Sequence, residues 1–218
     1  TSKAGYEEAL KARERGQKVY LETCPQYLLL DQSLYELPLP ECLIYVIAPP
    51  LRKAEDRECL WTALAEDQIQ TVSTDHCSFN MQQKRMGEHD FTKIPGGMPG
   101  VEDRAVLIYT YGVKQGKISL PQMCRLLSEN PAKLYGAYPR KGCIAAGADA
   151  DIVVFDPEAS GVISVKTQAY NTDYAPYEGF ETLGRVDSVY LRGLKVVSEH
   201  QVVLEHTGSF LKRDKFSL

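Results

Sequence analysis

The chain has 218 residues, 44% of them hydrophobic and 25% charged, with a formal net charge of −4, the make-up of a globular protein and not of a disordered or fibrous one. Acidic and basic residues are interspersed, without the basic stripe of a nucleic-acid binder. The longest apolar runs, such as CLIYVIAPPL (42–51), fall short of a membrane span, so nucleic-acid and membrane partners are both set aside. Six scattered cysteines (Cys24, Cys42, Cys59, Cys77, Cys124, Cys143) form no CxxC pair, which favours free thiols in a reducing, cytoplasmic setting.

The first stretch, TSKAGYEEALKARERG (1–16), predicts a helix capped by Thr1 or Ser2, with Leu10 on its apolar face and Gly16 as its stop. There is no initiator Met, and a helix that begins so abruptly leads to the expectation of a segment of a longer protein. QKVYLETC (17–24) reads as a buried strand, 25–41 as a proline-punctuated connection, and CLIYVIAPPLR (42–52) as a second strand-like run. KAEDRECLWTALAEDQ (53–68) carries a 3.6-residue period through Cys59–Leu60 and Ala63–Leu64, hence a helix. IQTVSTDH (69–76) is a strand again. Residues 81–104 form a long polar connection rich in Gly and Pro, a length that points to a functional or disordered loop. Two helices follow, 101–116 and 120–136, the second with Pro121 just inside its start. Alternation of helix and strand up to residue 136 argues for an α/β fold with a parallel sheet and helical crossovers. From about residue 140 the pattern changes to short strands, ADIVVFD, VISVKT, VDSVYLRGLKVVSE and QVVLEH, a second, all-β module.

Chemistry concentrates at TVSTDHCSFN (71–80). Asp75 stands at the C-terminal end of a predicted strand, where α/β folds place their active sites. A carboxylate there can ligate a metal and carry a proton, or it can simply cap a turn; spacing does not separate the two. His76 follows directly and so faces the other way on a strand, which suits a structural role. Cys77 reads as a small buried residue before it reads as a nucleophile. His89, His200 and His206 lack metal-ligand spacing and are expected in solvent. IPGGMPG (94–100) allows close approach of backbone to a ligand, and APPLR (48–52) makes a rigid bend with Arg52 as a possible anion contact; a mobile loop and a scaffold turn are the plain alternatives.

Taken in order, ETCPQYLLLD, APPLR, STDHCSFN, KIPGGMPGVEDR, NPAKLYGAYPRKGCIAAGADADIVVFDP, YAPYEG and GSFLKR resemble the hydantoinase/dihydropyrimidinase family of cyclic amidohydrolases, across nearly the whole chain. The resemblance implies the C-terminal part of a (β/α)8 TIM-type barrel (1–139) followed by a small β-sandwich segment and tail (140–218), and 69–76 would be barrel strand eight. It implies two divalent metal ions, zinc in the first instance, bridged by a carboxylated lysine that this chain does not contain. Of the family's ligands only the aspartate has a counterpart here, Asp75, which would also take the proton of the attacking water and pass it to the leaving ring nitrogen. Main-chain groups at Ala48 and Gly96 would hold a cyclic ureide or imide substrate; many relatives carry Ser and Asn at these positions, so the ring substituent stays open.

The activity implied is opening of a hydantoin or dihydropyrimidine ring to an N-carbamoyl amino acid by a homotetrameric parent protein, with the isolated chain inactive. Two alternatives are a non-catalytic dihydropyrimidinase-like interaction protein and an allantoinase-type amidohydrolase. Non-catalytic relatives lack the aspartate, whereas Asp75 is present. The tail TGSFLKRDKFSL (207–218) is either an assembly arm or a loose basic end.

Overall fold

A computed structural model describes residues 1–218. Helix α1 (Lys3–Glu14) is capped by the Ser2 side chain, which accepts from the Gly5 amide, and Gly16 ends it at φ +80°. Strand β1 (Glu22–Thr23) pairs in parallel with β2 (Thr71–Val72), Glu22 opposite Thr71 and Thr23 opposite Val72. Both are much shorter than the sequence suggests, because side chains take over the ladder at either end. The Gln70 amide oxygen accepts from the Leu21 N–H at 2.9 Å, and the Gln26 amide donates to the Thr74 carbonyl at 3.1 Å. The crossover between them comprises α2 (Pro25–Leu29), two 3₁₀ turns (Gln32–Glu36 and Glu41–Tyr45) and α3 (Ala54–Ala65).

The strand-like run 42–52 is therefore not a strand. Its first half is a 3₁₀ turn, and Pro38, Pro40, Pro49 and Pro50 around it remove the donors a ladder needs. Nor is the stretch 81–104 featureless. It holds α4 (Met81–Lys84), closed by reciprocal Asn80 and Gln83 hydrogen bonds, and 3₁₀ turns at Arg85–Gly87 and Phe91–Lys93. Next comes α5 (Arg104–Ile108), continued by a π turn, Tyr109–Val113. Then α6 (Leu120–Cys124) runs through a second π turn, Arg125–Glu129, into α7 (Asn130–Leu134), just where Pro131 deprives the helix of a donor.

The rest is an antiparallel sheet in the order β3 (Ile152–Val162), β4 (Glu181–Leu191), β5 (Leu194–Ser198), β6 (Gln201–Val202). Its hairpins turn through Arg192–Gly193 and Glu199–His200, all four at positive φ, the twist that suits two-residue hairpin loops. β3 shifts register between Asp156 and Ser160, and Pro157 sits in that irregularity, where a proline costs no ladder bond. VISVKT is not a strand of its own: Val162 ends β3 and the remainder turns away. One apolar cluster joins the two regions, from Leu28, Trp61 and Leu64 through Leu107 and Ile108 to Ile163 and Tyr177. The result is an α/β body with a small antiparallel sheet packed on α5 and its π turn. No helix is long and apolar enough to cross a membrane.

Candidate functional site

Asp75 lies three residues beyond β2, where the β1–β2 ladder ends. Ser73 N–H donates to the Thr23 carbonyl at 2.9 Å, and the buried Gln26 side chain holds the Thr74 carbonyl. The backbone then turns: Asp75 adopts φ +49°, a left-handed conformation that Asp tolerates better than most residues. That turn leaves the carboxylate exposed at the carboxyl end of the parallel pair. Pairing resumes at once with a different partner. His76 forms a parallel bridge to Met98, and the Cys77 N–H donates to the Met98 carbonyl at 3.0 Å.

The 96–98 segment is in turn tied to the 46–48 segment, for the Gly97 N–H donates to the Val46 carbonyl at 3.1 Å. Gly96 faces Ala48 so closely that a Cβ on Gly96 would stand 3.5 Å from the Ala48 methyl. Gly97, at φ +144°, packs against Cys77 with no room for a side chain. Thus the three segments bearing Asp75, Ala48 and Gly96 lie side by side although up to 48 residues separate them, and all three residues are exposed. Behind Ala48 the bend is held from both ends: the Tyr27 hydroxyl donates to the Pro49 carbonyl at 2.9 Å, and the Leu51 N–H donates to the Tyr35 hydroxyl at 2.7 Å. Arg52 is exposed beyond it.

His76 has a structural position. Its Nδ1 accepts from the Gly100 and Val101 amides at 3.1 and 3.2 Å, and its ring makes a T-shaped pair with Tyr170, centroids 5.7 Å apart. Cys77 is half-buried, and burial first, then the charge of Asp75, pushes its thiol pKa up, the reverse of what an activated nucleophile needs. All six cysteines are free. His89, His200 and His206 are exposed. No three His, Cys, Asp or Glu side chains come together as a metal cluster.

Two residues whose burial no sequence pattern marks shape this region. Lys84 is 0% exposed, and its ammonium donates to the Val46 and Pro95 carbonyls, both at 2.8 Å; burial brings its pKa down to about 8. Asp103 is 3% exposed, and burial, reinforced by the neighbouring Glu102 charge, pushes its carboxyl up to about 7. A buried lysine reads in sequence like any surface lysine, so nothing short of the folded chain reveals either.

Comparison with known proteins places this arrangement. The profile of the Amidohydrolase family matches residues 5–196. The chain is 47% identical over 212 residues to a D-hydantoinase of Geobacillus stearothermophilus, covering 96% of this chain and 45% of that protein. It superposes on the D-hydantoinase of Bacillus sp. AR9 with a TM-score of 0.96 at 47% identity, over 100% of this chain and 48% of that one. The dihydropyrimidinase of Brevibacillus agri gives a TM-score of 0.96 at 46% identity, with the same coverage of 100% and 48%. The chain spans about half the length of the curated relatives it matches.

Proposed function

Because the chain belongs to the hydantoinase/dihydropyrimidinase family of the amidohydrolases, we propose that the protein carrying it opens the cyclic amide of a hydantoin or dihydropyrimidine to give an N-carbamoyl amino acid. One observation carries the reading: Asp75 is presented at the carboxyl end of the parallel pair, on strands knitted to the segments of Ala48 and Gly96. Active sites of α/β barrels are built at that end. In this reading residues 1–139 are part of a (β/α)8 barrel, 140–218 belong to a β-sandwich segment, and the whole protein is a homotetramer.

Two divalent ions, zinc by preference, held by Asp75 together with ligands outside this chain, would activate the attacking water and polarise the ring carbonyl. Asp75 itself has the proton work. Its carboxylate takes the proton of the attacking water and hands it to the ring nitrogen as the amide bond breaks, so the product leaves neutral at that nitrogen. Ala48 and Gly96 present main-chain N–H and C=O groups from two facing segments, a suitable grip for a flat ring with alternating N–H and C=O groups. Their methyl and hydrogen side chains leave room at the wall.

The test is metal content and ring-opening of dihydrouracil and 5-substituted hydantoins, for the whole protein and for the chain alone. The whole protein is expected to hold metal and turn over, and the chain alone to do neither. Asp75→Asn in the whole protein should lower kcat about 10²–10⁴-fold with the fold kept, since Asn is equally at ease at positive φ. Unchanged turnover in that variant refutes the role of Asp75. Neither metal nor turnover in the whole protein points instead to a non-catalytic member of the family.

A further inference from the structure

Lys84 uses one ammonium to hold two pieces of main chain from different parts of the fold. Val46, whose carbonyl it reaches at 2.8 Å, lies two residues before Ala48; Pro95, whose carbonyl it also reaches at 2.8 Å, immediately precedes Gly96. The Val46 carbonyl takes a second donor, the Gly97 N–H, at 3.1 Å, so lysine and backbone close the same junction. No carboxylate accompanies the ammonium; beyond the two carbonyls it meets the ring face of Phe79, 5.9 Å to the centroid. Burying an uncompensated cation is costly, and for stability alone an apolar side chain of similar volume would serve as well or better. What an apolar side chain could not do is fix the spacing of two carbonyl-bearing segments. That spacing matters at this place in particular. Ala48 and Gly96 have almost no side chain with which to lock their own backbone, and Gly96 has the widest conformational freedom of any residue type.

We propose that Lys84 is a positioning residue for substrate: its ammonium sets the distance between the 46–48 and 95–97 segments so that main-chain groups on both can grip one ring. The proposal rests on the ring-opening activity inferred above. Lys84 reaches the ring only through these segments and takes no proton from it. Its ammonium bonds the Val46 and Pro95 carbonyls and makes no hydrogen bond or ion pair with Asp75, so its loss should weaken ring binding and leave the chemical step alone.

The experiment compares the wild-type whole protein with Lys84→Met, which keeps length and volume and removes every donor. Two quantities are read: exchange of the Gly97 amide, referred to the Ser73 amide in the β1–β2 ladder, and kcat and KM for hydantoin. The expected result is Gly97 exchange faster by about tenfold or more, and KM raised about tenfold with kcat within about threefold and metal content unchanged. Unchanged Gly97 protection overturns the clamp whether or not the enzyme is active. Faster exchange with unchanged KM in an active enzyme overturns its link to the ring. A fall in kcat and metal content with KM constant makes Lys84 a packing residue and overturns the proposal too. If wild type opens no ring, the functional reading itself fails and takes the substrate half of the proposal with it. Should Lys84→Met not fold, Lys84→Gln is measured by the same criteria; its shorter amide reaches fewer acceptors, and the same shifts are expected in smaller measure.

Discussion

Lys84 and Asp103 are the two charged side chains among the buried residues, and burial moves them in opposite senses. For Asp103 the folded pKa of about 7 stands above the unfolded 3.8. Its share of stability is therefore complete below about pH 3.8 and is lost as pH rises through about 7, because the native state holds the proton longer. The surroundings agree with a protonated group. Gln168 Nε2 donates to Asp103 Oδ1, while Asp103 Oδ2, Gln168 Oε1 and the Tyr170 hydroxyl are buried without a hydrogen-bond partner. Of these three atoms only the Tyr170 hydroxyl can donate, so a carboxylic acid, or an amide, at position 103 adds a second donor to a set with two acceptors. Asp103→Asn should thus be more stable than wild type at about pH 8, by about 2–4 kcal/mol, and should gain little at about pH 4, as read from urea unfolding at the two pH values. For Lys84 the folded value near 8 is below the unfolded 10.5, so its contribution works the other way: the native state pays for the charge below pH 8 and recovers as pH climbs toward 10.5.

At the scale of elements, two hydroxyls, of Thr110 and Tyr111, tie the helical body to β4 of the antiparallel sheet. Thr110, in the π turn that continues α5, accepts from the Leu183 N–H of β4 at 3.0 Å, and its proton faces both the Val106 carbonyl at 2.7 Å and the Leu183 carbonyl at 3.0 Å. Helix and strand approach closely here because Gly184, at φ +78°, carries no side chain against Tyr109 and Phe155. Thr110→Val keeps the shape and removes the hydroxyl, leaving the Leu183 N–H and C=O without this partner in a partly buried contact. A loss of about 1–3 kcal/mol is expected in urea unfolding, with an unchanged far-ultraviolet spectrum. The tail is also an element with a place. Asp214 N–H donates to the Gly136 carbonyl at 2.7 Å, Ser217 N–H to the Lys133 carbonyl at 3.0 Å, and the Tyr20 hydroxyl to the Leu218 carbonyl at 2.6 Å. Instead of hanging free it covers the end of α7, where carbonyls would otherwise face solvent.

For the whole molecule, what is exposed says as much as what is buried. β1 and β2 pair only with each other, and Val153, Val154, Val162, Leu183, Leu194 and Val202 of the antiparallel sheet are all exposed. Strand edges and apolar sheet faces left open in this way favour association. The chain on its own is expected to sediment as a mixture of oligomers and to bind a hydrophobic dye. Co-expression with the amino-terminal half of the Geobacillus D-hydantoinase should reduce both. A monodisperse, dye-free monomer would show instead that the chain needs no further cover.

The sequence by itself determined α1 and α3, because capping residues and 3.6-residue periods are local: Ser2 and Gly16 bound α1, and the Leu60–Leu64 face marks α3, whereas the short α2 and α4 lie in stretches that read as connections. It determined the family as well, since seven motifs in order carry information that any one lacks. It also pointed to Asp75, Ala48 and Gly96. The tertiary structure decided whatever depends on a distant partner. Whether 42–52 pairs as a strand, how few residues of β1 and β2 are laddered, and how 46–48, 75–77 and 96–98 come to lie together are fixed by contacts across tens of residues. The burial of Lys84 is the clearest case: a lysine on a short capped turn looks solvated in sequence, and only the closing of two remote carbonyls over its ammonium makes it a clamp.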